Sequence, residues 1–200
     1  MTASPAVTND QTPSSNPFAN DAQLIQGCLQ GNEASWSSLL SKYKNLIFSI
    51  PIKYGFSRED AADIFQSVCL DILHDLPSLR ESQALAGWLI RITHHKCLHQ
   101  LKQDRRFVAS ETTPIELTIP TGEIPESKIR ELQKEQVLRD AIESLAPRCR
   151  ELVQILFFES PARPYKEVAK SLGLATGSIG FIRARCLNKL GQKLQEMGFG

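Results

Sequence analysis

No HExxH pattern, CxxC pair, glycine-rich phosphate loop or nucleophile elbow occurs in this chain of 200 residues. Their absence removes the common signatures of zinc hydrolases, dithiol centres, nucleotide binders and serine hydrolases. No uninterrupted apolar run approaches the ~20 residues needed to cross a bilayer. The start of the chain lacks the basic and apolar stretches of a signal peptide. A cytoplasmic protein without cofactor is therefore expected. No period-two alternation marks a strand, and no internal repeat stands out. The five cysteines (Cys28, Cys69, Cys97, Cys149, Cys186) are odd in number and scattered. They read as reduced thiols on apolar helix positions.

What is present is an apolar fraction of 42%, enough for a packed core, and a charged fraction of 22%. The net charge of +1 conceals a block pattern. Residues 57–87 carry six acids against two bases (−4), and 88–106 five bases against one acid (+4). Residues 107–127 hold four acids and no base (−4), and 128–200 thirteen bases against eight acids (+5). Such segregation points to separate charged surfaces that meet different partners.

Residues 1–19 are rich in Ser, Thr, Asn and Pro and read as a disordered tail. Helical spacing then begins. Leu24, Ile25 and Cys28 share a face until Gly31-Asn32 stops the run. Trp36, Leu39, Leu40, Tyr43, Leu46, Ile47 and Ile50 continue to Pro51, where the helix is expected to kink or end. Ser57 is placed to cap a third helix, and a fourth runs from about Ala84 to Arg106. Residues 107–127, with three prolines, one glycine and only negative charge, read as a linker that buries little surface. Helical spacing resumes near Ser127, and Pro147 opens a further helix. The expectation is an all-α chain of two small helical domains, 20–106 and 128–200, joined by an acidic tether.

"YKEVAKSLGLATGSIGFIRARCLNKL" has the layout of a helix-turn-helix. Gly173 can take the left-handed conformation that ends its first helix, and Thr176 can cap the second. Ile179, Ile182, Cys186 and Leu190 make an inward stripe. Gly177, Gly180 and Phe181 face outward, with Ser178, Arg185 and Lys189 along one flank, and no acid occurs between Thr176 and Lys193. Outward glycines let a backbone approach DNA closely, and a helix N-terminus favours an anion. Ser178 can donate or accept a hydrogen bond, Phe181 can touch a thymine methyl, and Arg185 and Lys189 reach phosphates. Arg183 lies near the edge of the inward stripe, where contact with DNA and pairing with a neighbouring acid are both open.

"GWLIRITHHKCLHQLKQDRR" puts aromatic, basic and imidazole groups on one helix. Trp88, Arg91, His95, Lys102 and Arg106 can line a face, with His94, Lys96, His99 and Arg105 nearby. Aromatics beside cations suit melted nucleic acid, although Trp88 fits a core position equally well. His95 and His99 stand at i,i+4 with Cys97 between them, which raises a metal alternative, but Cys97 projects away from the pair. Upstream, Asp60, Asp63 and Asp71 form an acidic helix face with Gln66 exposed and Phe65 at its apolar edge. That face is either merely solvated or able to dock a basic partner helix.

These segments, in this order and spacing, resemble the sigma factors of bacterial RNA polymerase, of the compact extracytoplasmic-function type. The resemblance covers roughly Asp21–Arg106 and Leu138–Leu194. It implies that Asp60, Asp63, Phe65, Gln66 and Asp71 dock on clamp helices of the polymerase core. It implies that Trp88, Arg91, His94, His95, Lys96, His99, Lys102, Arg105 and Arg106 recognise and help melt the minus-10 element. It likewise gives Thr176, Ser178, Gly180, Phe181, Arg183, Arg185 and Lys189 to the minus-35 element, and the acidic linker to the RNA exit path. Members are often held by an anti-sigma protein, though no segment identifies one. The family helix commonly reads Gly-Thr-Val-Lys-Ser-Arg where Gly177–Ile182 stands here, and Ala-Arg-Asn where "THHKC" stands. Typical base preferences therefore do not carry over. The competing readings are a helix-turn-helix regulator that acts without polymerase, and a metal-dependent enzyme built on His94, His95, His99 and Cys97.

Overall fold

A computed structural model describes residues 21–79, 85–108 and 122–199, without the side chains of 105–108. The expected tail 1–19 and residues 109–121 of the expected linker lie outside the described residues, as do the side chains of Arg105 and Arg106. Among the described residues eight α-helices follow one another: α1 Asp21–Leu29, α2 Glu33–Lys53, α3 Arg58–Asp75, α4 Leu85–Val108, α5 Glu126–Glu143, α6 Pro147–Phe157, α7 Tyr165–Ser171 and α8 Ile179–Glu196. No strand occurs among the described residues, so the all-α class is confirmed.

Local chemistry sets the helix ends. Gly31 at φ +77° closes α1, and the Asn32 side chain then accepts from the Ser35 N–H at 2.9 Å to open α2. Gly27 is needed here for space, because a Cβ on it would lie 2.1 Å from Ser35 Oγ. Ser57 opens α3 with a reciprocal capping box, in which Asp60 N–H donates to Ser57 Oγ at 3.1 Å and Ser57 N–H to the Asp60 carboxylate at 3.3 Å. Pro51 does not end α2, which continues to Lys53. Tyr54 N–H donates to Ile50 O at 3.1 Å, and Ile50 and Pro51 are both buried in that last turn.

Two hydrophobic cores form. The first gathers Leu39, Tyr43, Leu46, Ile47 and Ile50 of α2 with Ile64, Val68 and Ile72 of α3 and Leu85, Leu89, Ile90 and Cys97 of α4. The second joins Leu152, Val153 and Ile155 of α6 with Val168 and Ala169 of α7 and Ile179, Cys186 and Leu190 of α8. The cores do not part at residue 128 but inside α5, which gives Ile129 and Leu132 to the first and Ala141 and Ile142 to the second. Ile124 is also buried in the first core, so the C-terminal end of the expected linker packs where little burial was expected.

A polar cluster stitches α5 to α2. Buried Gln136 donates from Nε2 to Lys42 O at 3.0 Å and to the Asp140 carboxylate at 2.8 Å. Lys42 Nζ lies 2.9 Å from Asp21 and 3.7 Å from Asp140, and the Tyr43 hydroxyl donates to Asp21 at 2.7 Å. Burial, and secondly the charge of Asp21, pushes the Tyr43 phenol up, while burial outweighs Lys42 and pushes the Asp140 carboxyl up.

The cysteines depart from the expectation of free thiols. Cys149 of α6 and Cys186 of α8 are joined by a disulfide, while Cys28, Cys69 and Cys97 are free. Their pairing is a contact across 37 residues that no local pattern encodes.

The tight α1–α2 junction yields a test. Gly27→Ala should lower stability in denaturant unfolding by about 1–3 kcal/mol through overpacking, although alanine is the better helix former. Adding Ser35→Gly should restore part of the loss, and a more stable single variant would refute the close contact.

Candidate nucleic-acid interface

The approach to α8 is built by α7. Gly173 at φ +63° lets the Leu174 N–H reach back to Ala169 O at 2.8 Å, closing the helix in a Schellman arrangement. Leu174 packs on the second core, and a 3-10 turn at Thr176–Ser178 leads into α8. The expected Thr176 cap is not made. Thr176 lies inside that turn, and neither Ala175 before it nor Ser178 before α8 forms a side-chain cap bond.

Ile179, Cys186 and Leu190 are buried and Ile182 packs beside them, so one stripe of α8 is spent on the core. Gly177, Ser178, Gly180, Ala184, Arg185, Asn188 and Lys189 are exposed. Phe181 is 76% exposed, the most exposed of the large hydrophobic side chains among the described residues. Gly177 and Gly180 have no left-handed φ, and a Cβ on either would meet nothing within 4 Å. Neither conformation nor internal packing therefore asks for glycine, which weakens a helix relative to alanine. Both positions leave open clearance on the outward side of the chain. Arg183 is exposed, and its Nη1 donates to the Tyr165 hydroxyl of α7 at 2.6 Å.

On α4 the exposed residues Arg91, His95, His99 and Lys102 fall along one face, as the spacing predicts, and Trp88 is half-buried against the first core at its edge. Arg91 is partly engaged, 3.6 Å from the Glu126 carboxylate. Two expected members do not belong to this face. His94 is buried: its Nε2 donates to Gly122 O at 3.2 Å, and its Nδ1 shares a 2.5 Å hydrogen bond with the Tyr54 hydroxyl. It thus holds the segment entering α5 against α4. Lys96 is half-buried and pairs with Asp71 of α3 at 2.9 Å, pinning two helices together. Cys97 is buried behind the histidines, and burial pushes its thiol up to about 12. Among the described residues no group of three or more His, Cys, Asp or Glu could hold a metal ion.

On α3, three of the five expected docking residues have internal partners. Asp60 completes the capping box, Asp71 pairs with Lys96, and half-buried Phe65 packs on the core with its ring 6.4 Å from that of Phe48. Asp63 and Gln66 are exposed. Leu70 and Leu73, 67% and 61% exposed, extend the same line of residues. Neither leucine is among the residues expected from the sequence, although both fall off the buried Ala61–Ile64–Val68–Ile72 stripe of α3. The result is an outward line Asp63–Gln66–Leu70–Leu73, acidic at one end and apolar at the other.

Residues 39–107 match the family described as Sigma-70 region 2. That span contains both the α3 line and most of α4. The chain is 20% identical over 185 residues to the ECF RNA polymerase sigma-E factor of Haemophilus influenzae, covering 88% of this chain and 96% of that protein. It is 21% identical over 185 residues to the RNA polymerase sigma-H factor of Pseudomonas aeruginosa, covering 88% of this chain and 95% of that protein.

Gly180→Ala separates the two demands on α8. The variant should melt at the same temperature as the parent or slightly higher, since alanine is favoured in a helix by up to about 1 kcal/mol. Its DNA-dependent affinity should nevertheless fall several-fold in a binding titration. Unchanged affinity would remove the clearance argument.

Proposed function

We propose a division of labour among three surfaces of a chain that belongs to the extracytoplasmic-function sigma factors of bacterial RNA polymerase. The chain directs core polymerase to promoters in transcription initiation, and its partners are that enzyme and promoter DNA. Sigma factors are initiation factors rather than enzymes. In this reading the chain performs no covalent chemistry itself and works in the cytoplasm beside the polymerase. No described helix is long and apolar enough to cross a membrane.

The line Asp63–Gln66–Leu70–Leu73 on α3 docks on the core enzyme. An acidic end steers toward a basic partner and gives register, while two exposed leucines supply the apolar area that affinity needs. Asp60, Phe65 and Asp71 act indirectly, by shaping and seating α3.

The α4 face of Arg91, His95, His99 and Lys102, with Trp88 at its edge, meets the minus-10 element. Cations pair with phosphates, and rings receive unstacked bases. Stacking at ~1–3 kcal/mol per base is of the size needed to offset the few kcal/mol that extruding a base costs. His94 and Lys96 support this face from beneath. Arg105 and Arg106 extend its positive charge in sequence.

The α8 face of Ser178, Gly180, Phe181, Arg185 and Lys189 reads the minus-35 duplex, its glycine-bearing end leading into the major groove. Thr176 lies at the mouth of that end, and Arg183 braces α8 against α7 through Tyr165. The observation that carries the proposal is the seating of two acid-poor cationic faces on separate cores, with a different kind of face on α3. One small molecule thereby offers three unlike surfaces.

Substitutions on α3 distinguish docking from folding. Asp63→Arg and Leu73→Ser should each weaken association with core polymerase about tenfold or more, equivalent to about 1.4 kcal/mol, without changing helix content. Asp71→Asn should instead act through the Lys96 pair and lower stability. Core affinity untouched by both of the first two changes would place the docking face elsewhere.

A further inference from the structure

The proposed roles leave one chemically distinctive feature unused, the bond between Cys149 and Cys186. It closes a loop across 37 residues that takes in nearly all of α6, the whole of α7, the glycine turn and the first half of α8. Cys186 occupies the middle of the inward stripe of α8 and is 1% exposed. The bond therefore ties to α6 the helix whose opposite face is offered outward. The core it serves is small, with twelve buried residues among those described, and small cores gain most from a covalent staple.

The two sulfurs differ in access. Cys149 is half-buried and stands in the first turn of α6 between Arg148 and Arg150. A helix N-terminus favours the thiolate form of a cysteine placed in its first turn. The remaining cysteines lie on helices of the other lobe. Burial pushes the Cys28 thiol up to about 11 and the Cys97 thiol up to about 12, and it also raises that of Cys69. Oxidation is thus directed to one pair.

We propose that Cys149 and Cys186 are a reversible redox modification site whose oxidised form holds α8 in its presenting position. The oxidant class is a hydroperoxide and the reductant class a protein dithiol. In the first step the Cys149 thiolate attacks a peroxide oxygen, the O–O bond breaks, and a sulfenic acid and hydroxide form. The Cys186 sulfur then attacks the Cys149 sulfur, the S–O bond breaks and water leaves with the thiol proton. Two thiols and one hydrogen peroxide give one disulfide and two waters, with two electrons passing from sulfur to oxygen. A dithiol reverses the change by exchange and becomes a disulfide itself. A cytosolic disulfide of this kind is transient and signalling rather than permanent. The consequence for DNA rests on the assignment of α8 above, whereas the chemistry of the pair does not.

The test uses the full chain treated with hydrogen peroxide or with dithiothreitol, then alkylated and read by peptide mass and by thermal melting. Peroxide should protect Cys149 and Cys186 alone. The oxidised chain should melt on the order of 10 °C above the reduced one, a difference that Cys149→Ser and Cys186→Ser abolish. Five alkylatable thiols after peroxide, equal melting temperatures, or a bond that dithiothreitol cannot open in the native protein would each overturn the proposal. With core polymerase and a library of genomic fragments, transcript yield should fall at least threefold on reduction. Unchanged yield beside a clear melting shift would refute the coupling to DNA while leaving the redox site standing.

Discussion

The apolar stripes of α4 and α8 constrain everything these helices offer to a partner. Once Ile179, Cys186 and Leu190 are sunk in the second core, the opposite side of α8 is the one that carries Gly180, Phe181, Arg185 and Lys189. Leu85, Leu89, Ile90 and Cys97 do the same for α4 and turn Arg91, His95 and Lys102 outward. Burial that stabilises each lobe also aims its polar face, so the direction of that face cannot change without repacking the core beneath it. The α3 helix obeys the same rule, and its outward line differs only in chemistry.

Charge in this molecule is divided between holding helices and meeting partners. The acidic stretch 57–87 and the basic stretch 88–106 look in sequence like two opposed surfaces. In three dimensions they spend part of that charge on each other, as Asp71 and Lys96 do at 2.9 Å. Arg91 keeps a longer contact of 3.6 Å with Glu126, of the exposed kind that is worth little and exchanges readily. Lys42, by contrast, is well covered and held between Asp21 and Asp140. Removing one partner from such a cluster costs more than the pair is worth. What remains outward is the charge a nucleic acid or a polymerase can use.

Much of this was legible in the sequence because helical period, capping and left-handed glycine are local. Ser57 and Gly173 sit where their chemistry says a helix begins and ends, and the stripes of α1, α3 and α8 follow from spacing alone. Most of the misreadings are non-local or conformational. His94 and Lys96 look like surface residues until Tyr54, Gly122 and Asp71, distant in the chain, are brought against them. Thr176 has a capping side chain, but the chain enters α8 through a 3-10 turn that denies it the capping position. Cys149 and Cys186 carry no sign of each other across 37 residues. The bridging of α5 is hidden because one amphipathic helix can serve two cores in succession, and composition changes at the linker before the packing does. Leu70 and Leu73 were within reach of a helical wheel, but acidic neighbours drew attention away from apolar residues on the outside.

The proposed promoter recognition requires two faces of one chain to grip one DNA at separate places. Footprinting of promoter DNA by core polymerase with the full chain measures this directly. Two protected regions should appear, with Lys189→Ala weakening only the upstream one and Lys102→Ala only the downstream one. Both elements losing protection together with either change, or neither change having an effect, would contradict it.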